Sequence, residues 1–452
     1  METARKKVGV DLTEGNILRQ LLTFVLPLLL ANVIQQLYNT VDMIVIGRFV
    51  GSAGTAGVSN GGEIATLVTF MASAFGSAGQ IYVAQLSGAK DHKSISETLS
   101  TGMVFVTALA LAVMAVCIIF CDPLLTWLRC PPEAFSQARD YMIVVSLGLP
   151  FVFGYSMVCG ILRGMGEAKR PLLFVSVAAV SNLIMDVLLV AVFRLEAAGT
   201  AIATIVAQFA SFLAAAIFLY RRKEQFGITF TKGSLRINKH HFAVLMRLGI
   251  PLTAQSALIH FTQIICTREI NAYGIVASTT NSIGNKIQKF LEVFIQGLDT
   301  AGASMIGQNL GAKKHDRAAE VVWKALLSTT VVAIITSAMC VLCPNFLFGL
   351  FTDDPEVLAL GKIYLRIIVI HIFSSSFIGA FQAMVTGCGF VELGFAIGIL
   401  DGVVCKIGFG KLFGEVFHMG AIGYFWGIST SRILPGLLCF AYFMSGKWRT
   451  RK

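Results

Sequence analysis

Asn32, Gln35, Asn39 and Asp42 follow one another at intervals of three, four and three in the first apolar stretch, a spacing that sets them on one face of a helix. A carboxyl group on such a face can do two kinds of chemistry. It can exchange a proton, because keeping it charged away from water is costly, or its oxygens can hold a hard cation such as sodium. Asn182 and Asp186, four apart in a later stretch, complete a site of this kind with Thr204 if their helices meet. The competing reading of Asp42 is a permanent buried ion pair.

Other polar stripes run through apolar sequence. Ser59, Glu63, Thr66, Ser73, Ser77 and Gln80 form one, and Asn281, Asn285, Gln288, Glu292, Gln296 and Asp299 form the longest. Shorter ones are Ser256, His260, Gln263 and Thr267, and His371, Ser375 and Gln382. Such stripes either line water or join helices through hydrogen bonds. Six residues with carboxylates among them favour a wet cavity, so Gln35, Asn39, Asn281, Asn285, Gln288 and Glu292 are candidate cavity and substrate residues. Lys286, Lys289 and Lys406 also fall within apolar stretches and are expected to pair with Glu292, Asp299 or Asp401. Pro27 and Pro251 each remove a helical hydrogen bond beside a polar stripe, as a moving bend or as a static kink.

Membrane-spanning helices must position these residues. Charged residues are 13% and hydrophobic residues 56% of the 452, and the mean hydropathy is +0.75; so few charges cannot cover a water-soluble surface of this size. Twelve stretches are long enough to span: 17–45, 54–82, 95–120, 134–162, 171–193, 197–220, 241–267, 277–306, 318–343, 357–386, 392–413 and 420–445. The expected class is an all-α membrane protein of twelve transmembrane helices in two pseudo-symmetric six-helix lobes around a central cleft.

The two lobes follow from an internal duplication. A shift of 223 positions puts Gln85 on Gln308, Gly88-Ala89-Lys90 on Gly311-Ala312-Lys313, Tyr141 on Tyr364, and Gly164 and Gly166 on Gly387 and Gly389. A duplicated half in a membrane chain is the usual plan of a two-lobed transporter. The expected lobes are 1–222 and 241–452, joined by a polar cytoplasmic linker, 223–240.

Lysines and arginines concentrate at the termini, in the linker and in alternate loops, which puts both termini in the cytoplasm of a plasma or inner membrane. That asymmetry accounts for the net charge of +11 without nucleic acid and makes anionic membrane lipids the natural counter-charge. The first apolar stretch, with its amides and Asp42, reads as a retained span rather than a cleaved leader. Ten scattered cysteines imply no disulfide framework. No His-Glu-x-x-His or phosphate-loop motif is present, so an enzyme is not expected, nor is a cofactor.

In these residues the chain resembles, over essentially its whole length, the multidrug and toxic compound extrusion (MATE) transporters, in particular the DNA-damage-inducible-F-like bacterial branch. The likeness is carried by Leu26-Pro27-Leu28, Gln35-Gln36-Leu37-Tyr38-Asn39, Val41-Asp42 and Gly47-Arg48. It extends to the Gln-x-x-Gly-Ala-Lys turns ending at Lys90 and Lys313, to Arg163-Gly164-Met165-Gly166, and to Asn182 through Asp186. The resemblance implies a multidrug exporter that exchanges organic, often cationic, compounds for protons or sodium ions. It implies Asp42 as the ion-coupling aspartate, Asn182, Asp186 and Thr204 as its neighbours, Tyr141 as a tyrosine near that network, and Pro27 as the bending proline. Any sodium would sit at Asp42 and Asp186. Where some members carry acidic residues in the seventh and tenth helices, this chain has Ile259 or His260 and Ser374 to Ser376, while Glu292 keeps a carboxylate in the second lobe. Expected partners are small organic substrates and lipids, with the protein a monomer. The alternative is a lipid-linked oligosaccharide flippase of the same superfamily.

Overall fold

Every regular element among the described residues is helical, as hydrocarbon requires of a chain that must satisfy its own backbone donors and acceptors. The computed structural model describes residues 10–49, 51–128, 130–223 and 237–450, without the side chains of 39, 41–44, 46–49, 51–56, 60 and 191. The first half supplies α1 (Ile17–Phe49), α2 (Gly51–Gly88), α3 (His92–Ile119), α4 (Cys121–Trp127), α5 (Pro132–Leu147), α6 (Leu149–Gly164), α7 (Lys169–Asp186) and α8 (Glu196–Arg221). The second supplies α9 (Lys239–Asn271), α10 (Ile275–Gly311), α11 (His315–Leu342), α12 (Pro344–Gly349), α13 (Pro355–Gly387), α14 (Val391–Ile399), α15 (Gly408–Lys411), α16 (Gly420–Thr430) and α17 (Ile433–Met444). Wider π-helical turns at Val187–Val192, Leu400–Ile407 and Leu412–Val416 continue α7, join α14 to α15 and extend α15.

Ten of the helical stretches are long and apolar enough to cross a membrane, and α5 with α6, bent by 48° to one another, makes an eleventh. Helix α10, 37 residues long, carries Lys286, Lys289, Glu292 and Asp299 and is the remaining stretch expected from sequence. The expected single span 134–162 is thus two helices that meet at Gly148.

The duplication is written into the backbone. Helices α3 and α11 coincide end for end under the 223-residue shift, and so do the C-termini of α2 and α10 and of α6 and α13. Lys90 and Lys313 both take left-handed φ, 58° and 59°, while Gly166 and Gly389 have φ 81° and 71°. This conformation ends a helix and is costly for a residue other than glycine, so its recurrence at paired lysines marks the same turn built twice. Side-chain packing repeats too. An added methyl at Gly61 would strike the ring of Tyr141, and one at Gly284 would strike that of Tyr364, the residue 223 positions on. The halves part at one place: Gly148 interrupts the first-half helix, whereas its counterpart His371 lies inside the unbroken α13.

By packing, the chain forms two units, and each half's first long helix is divided between them. One unit takes Leu26–Ile250 and the other takes Leu12–Val25 with Pro251–Lys452, so Pro27 and Pro251 stand beside the divisions in α1 and α9. In the first unit α2 packs on α5 and α6, and α7 on α8. The α2–α6 contact is backbone on backbone, because a Cβ on Gly160 would meet the carbonyl oxygen of Gly76. The start of α9 is held in the same unit by His241, whose Nε2 lies 3.1 Å from Glu97 Oε2 and whose Nδ1 lies 2.9 Å from the Tyr82 hydroxyl.

The second unit is centred on α10 and α13, with α11, α16 and α17 packed around α13. The segment before α1 is fastened there. The Leu12 amide donates to Gln308 Oε1 at 3.1 Å, Lys314 Nζ donates to the Thr13 carbonyl at 3.0 Å, and Arg317 donates to Gln20 Oε1 at 3.0 Å. Gln308 and Lys314 belong to the repeated turn motif or flank it, so part of the motif's work is to hold chain from outside its own half.

Candidate functional sites in each unit

The first cluster lies on α7 and α8. Asn182 and Asp186 are fully buried, one helical turn apart on α7, and Thr200 is buried on α8. The register of this antiparallel pair is set by the Ser211 hydroxyl, which donates to the Phe174 carbonyl at 2.8 Å. Counting toward the other end from that contact brings Asn182 and Asp186 level with Thr204 and Thr200. Thr204 spends its hydroxyl proton on the Thr200 carbonyl at 3.0 Å, which leaves the oxygen's lone pairs as acceptors. Asp186 is also the last α-helical residue before the wider turn at Val187–Val192, a distortion that recurs at functional positions in helices.

Neither polar atom of the Asn182 amide has a hydrogen-bond partner among the described residues. A buried amide left this way calls for water, an ion or a ligand. Asp42 and Asn39 lie on α1, with side chains outside the described residues, so their contact with this cluster is not described. Tyr141 is half-buried against Val58 and Ala197, and Gln35 is exposed.

The second cluster is built around Glu292 on α10. Its Oε1 lies 2.6 Å from His371 Nε2 on α13, 2.9 Å from Arg432 Nη1 and 3.4 Å from the Ser375 hydroxyl. Gln288, one turn earlier, places Nε2 2.7 Å from the same His371 nitrogen, and its Oε1 accepts from the Tyr364 hydroxyl at 3.3 Å. Arg432 Nη1 also donates to Ser375 Oγ at 2.7 Å, and its Nε reaches toward Asp401 at 3.8 Å. Asp401 accepts from the Ser431 hydroxyl at 2.9 Å. Two carboxylates therefore share one guanidinium, with an imidazole beside them whose two nitrogens each face an oxygen, Glu292 Oε1 and the Ile428 carbonyl at 3.3 Å. Nε2 also faces the Gln288 amide nitrogen, itself a donor, so a hydrogen on Nε2 has Glu292 as its acceptor.

A local break in the last helix makes this arrangement possible. Pro435 cannot donate to the carbonyl four residues earlier, and the chain turns at Ser431 and Arg432 between α16 and α17. Carbonyls freed near the break are taken up by α13, His371 facing Ile428 O and Ser374 donating to Ser429 O at 3.4 Å.

Gln288 and Glu292 are thus brought together with Tyr364, His371 and Ser375. Asn281 is buried further along α10 with its amide unpartnered among the described residues, and Asn285 is half-buried. The expected lysine partners of Glu292 and Asp401 are replaced by Arg432. Lys286 is exposed on α10 and lies over the Phe351 ring at 6.0 Å. Sequence reasoning passed over Arg432, although an arginine three residues before a proline in an apolar stretch carries the same signal as the lysines it did flag. Among the described residues no group of three His, Cys, Asp or Glu side chains is arranged to hold a metal ion.

Comparison with known proteins gives the same architecture. A sequence profile described as MatE matches residues 27–188 and again 251–410, two blocks whose offset agrees with the internal shift. The chain is 26% identical over 447 residues to the probable multidrug resistance protein YpnP of Bacillus subtilis, covering 98% of each. It is 22% identical over 423 residues to the multidrug export protein MepA of Staphylococcus aureus, covering 94% of this chain and 92% of that one. Its fold superposes with a TM-score of 0.92 and 20% identity on a multidrug resistance MATE family transporter of the MOP superfamily in an outward-facing conformation, covering all of both chains. The flippase alternative gains no support from these relatives.

Proposed function

The chain belongs to the MatE family of transporters, and on that premise we propose that it is a secondary active multidrug exporter, exchanging organic, often cationic, compounds for protons or sodium ions by alternating access. The observation that carries the coupling half of this reading is the buried Asn182–Asp186 pair with its unpartnered amide. A carboxyl group there changes the binding of a cation by charge alone, and the amide and the threonine oxygens are hard donors suited to a proton relay or to sodium. Asp42 is the second carboxyl of the site. The relatives named for multidrug resistance and export supply the cargo class.

Coupling works by competition. Facing outward, a proton or sodium ion binds at Asp42 and Asp186, neutralises the site, and releases a bound organic cation. Facing inward, loss of the ion restores a negative, poorly hydrated site that favours new cargo. One charge moving down about 100 mV contributes about 2.3 kcal/mol, and a tenfold proton gradient adds about 1.4 kcal/mol. Together they sustain a gradient of several hundredfold for a neutral substrate. Gln35, Asn39, Tyr141, Asn281, Asn285, Gln288 and Glu292 are the residues to line the substrate path, and Pro27 and Pro251 are the bending points. The lobes are 1–222 and 241–452 with 223–240 between them. The protein acts as a monomer in the plasma membrane with both termini cytoplasmic, the side on which basic residues concentrate.

The test is efflux from proteoliposomes under separately imposed proton and sodium gradients, comparing the parent with Asp42→Asn and Asp186→Asn. Both variants are expected to fold and to lose gradient-driven efflux. Full efflux by both would move coupling to Glu292 or elsewhere.

A further inference from the structure

A groove of about 260 Å³ opens at the ends of two neighbouring spans, where α7 begins and α8 stops. Its floor is apolar, from Leu173, Phe174, Ala214, Ile217 and Phe218, and its rim carries Arg170, Arg221 and Arg222. The guanidinium of Arg170 lies over the Phe218 ring at 5.0 Å, which holds its planar fork at the groove's edge. Lys223 lies over Tyr220 in the same way at 4.8 Å, so the rim has the aromatic and basic character of a chain leaving hydrocarbon for the headgroup layer. Among the described residues the carboxylate of Glu167, near the rim, accepts from the backbone amides of Lys169 and Arg170 at 3.1 and 3.3 Å, in the first turn of α7. Beyond the groove, Val180 and Ile184 on α7 and Leu213 and Phe209 on α8 expose large apolar side chains along the same two helices.

We propose that this groove is a binding site for an anionic phospholipid, with Arg170 and Arg221 holding the phosphate and an acyl chain lying along the exposed faces of α7 and α8. The guanidinium fork matches two phosphate oxygens, which an ammonium cannot do. The apolar floor fits a chain covalently tied to that phosphate, and a free phosphate would leave it uncovered. The site does not depend on the transport reading.

The experiment is native mass spectrometry of the purified protein in detergent, titrated with phosphatidylglycerol or phosphatidylcholine of the same chain length. Two arginines at about fivefold each give an expected preference of about twenty-five-fold for phosphatidylglycerol. R170Q/R221Q is expected to abolish that preference with its melting temperature unchanged. K447Q/R449Q, which removes the same charge at the C-terminal end of the chain, is expected to keep it. Equal loss in both variants would assign the preference to overall charge and overturn the site. Displacement of phosphatidylglycerol by millimolar inorganic phosphate would overturn it in favour of a soluble anion, and so would retention by R170Q/R221Q.

Discussion

Arg432 Nη1 stands 2.9 Å from Glu292 Oε1 and joins the residue that caps α17 to the middle of α10. Both side chains are largely buried, at 24% and 10% exposure. A buried ion pair is weak evidence of net stability, yet removing one partner leaves a desolvated charge and costs about 3–5 kcal/mol. Arg432→Gln is therefore expected to lower the melting temperature strongly, and Glu292→Gln added to it is expected to restore much of the loss. Melting of the single and double variants in detergent measures this. Additive losses would show the two groups to be uncoupled.

The close approach of α6 to α2 leads to a steric expectation. A Cβ on Gly160 meets the backbone carbonyl of Gly76, which cannot swing away as a side chain can. Overpacking of this kind costs about 1–3 kcal/mol. Gly160→Ala should lower stability by that order, whereas Gly349→Ala, where an added Cβ meets nothing within 4 Å, should not. Thermal melting of the pair decides it, and parity between them would place the helices farther apart than they stand here.

These two sites differ in how far they could be read from the chain. The spans were legible because hydrocarbon leaves only the helix, and the duplication because a 223-residue repeat survives in turn residues such as Lys90 and Lys313, whose left-handed backbones tolerate little drift. Gln288, Glu292, His371 and Ser375 were legible as polar residues at helical spacing. Their meeting was not, since spacing fixes a face but not its neighbour. Arg432 was hidden because its place depends on a break near Pro435 that hydropathy cannot register, and the bend at Gly148 because its counterpart His371 sits in an unbroken helix. The Asn182–Asp186 level with Thr204 needed the register that Ser211 and Phe174 supply.

The turn before α3 offers a pH dependence outside the membrane. Asp91 caps that helix, accepting the Ser94 amide at 3.0 Å and the Ser94 hydroxyl at 2.7 Å. These bonds, the backbone one foremost, hold its carboxyl below the usual carboxylate range. A lowered value in the folded state means that the stabilisation is complete above the unfolded value of about 3.9 and fades as pH falls through the folded one. Asp91→Ala should cost about 1 kcal/mol at neutral pH, and the gap between variant and parent should close below about pH 4. Melting curves across that range test it; a gap that widens in acid would reverse the sign.

Asn182 separates a binding role from a structural one. Its buried amide has no partner among the described residues, and an unsatisfied buried polar group costs stability that an apolar group of similar shape does not. Asn182→Leu is therefore expected to melt at or above the parent's temperature. If the amide holds a coupling ion or its water, the same change should cut gradient-driven efflux at least about tenfold, the loss of roughly one hydrogen bond to a charged species. Efflux from proteoliposomes and melting in detergent, measured on one preparation, give the two readouts together. A lower melting temperature with unchanged coupling would mean that the amide is a satisfied structural group, and the site on α7 would then lose its ligand.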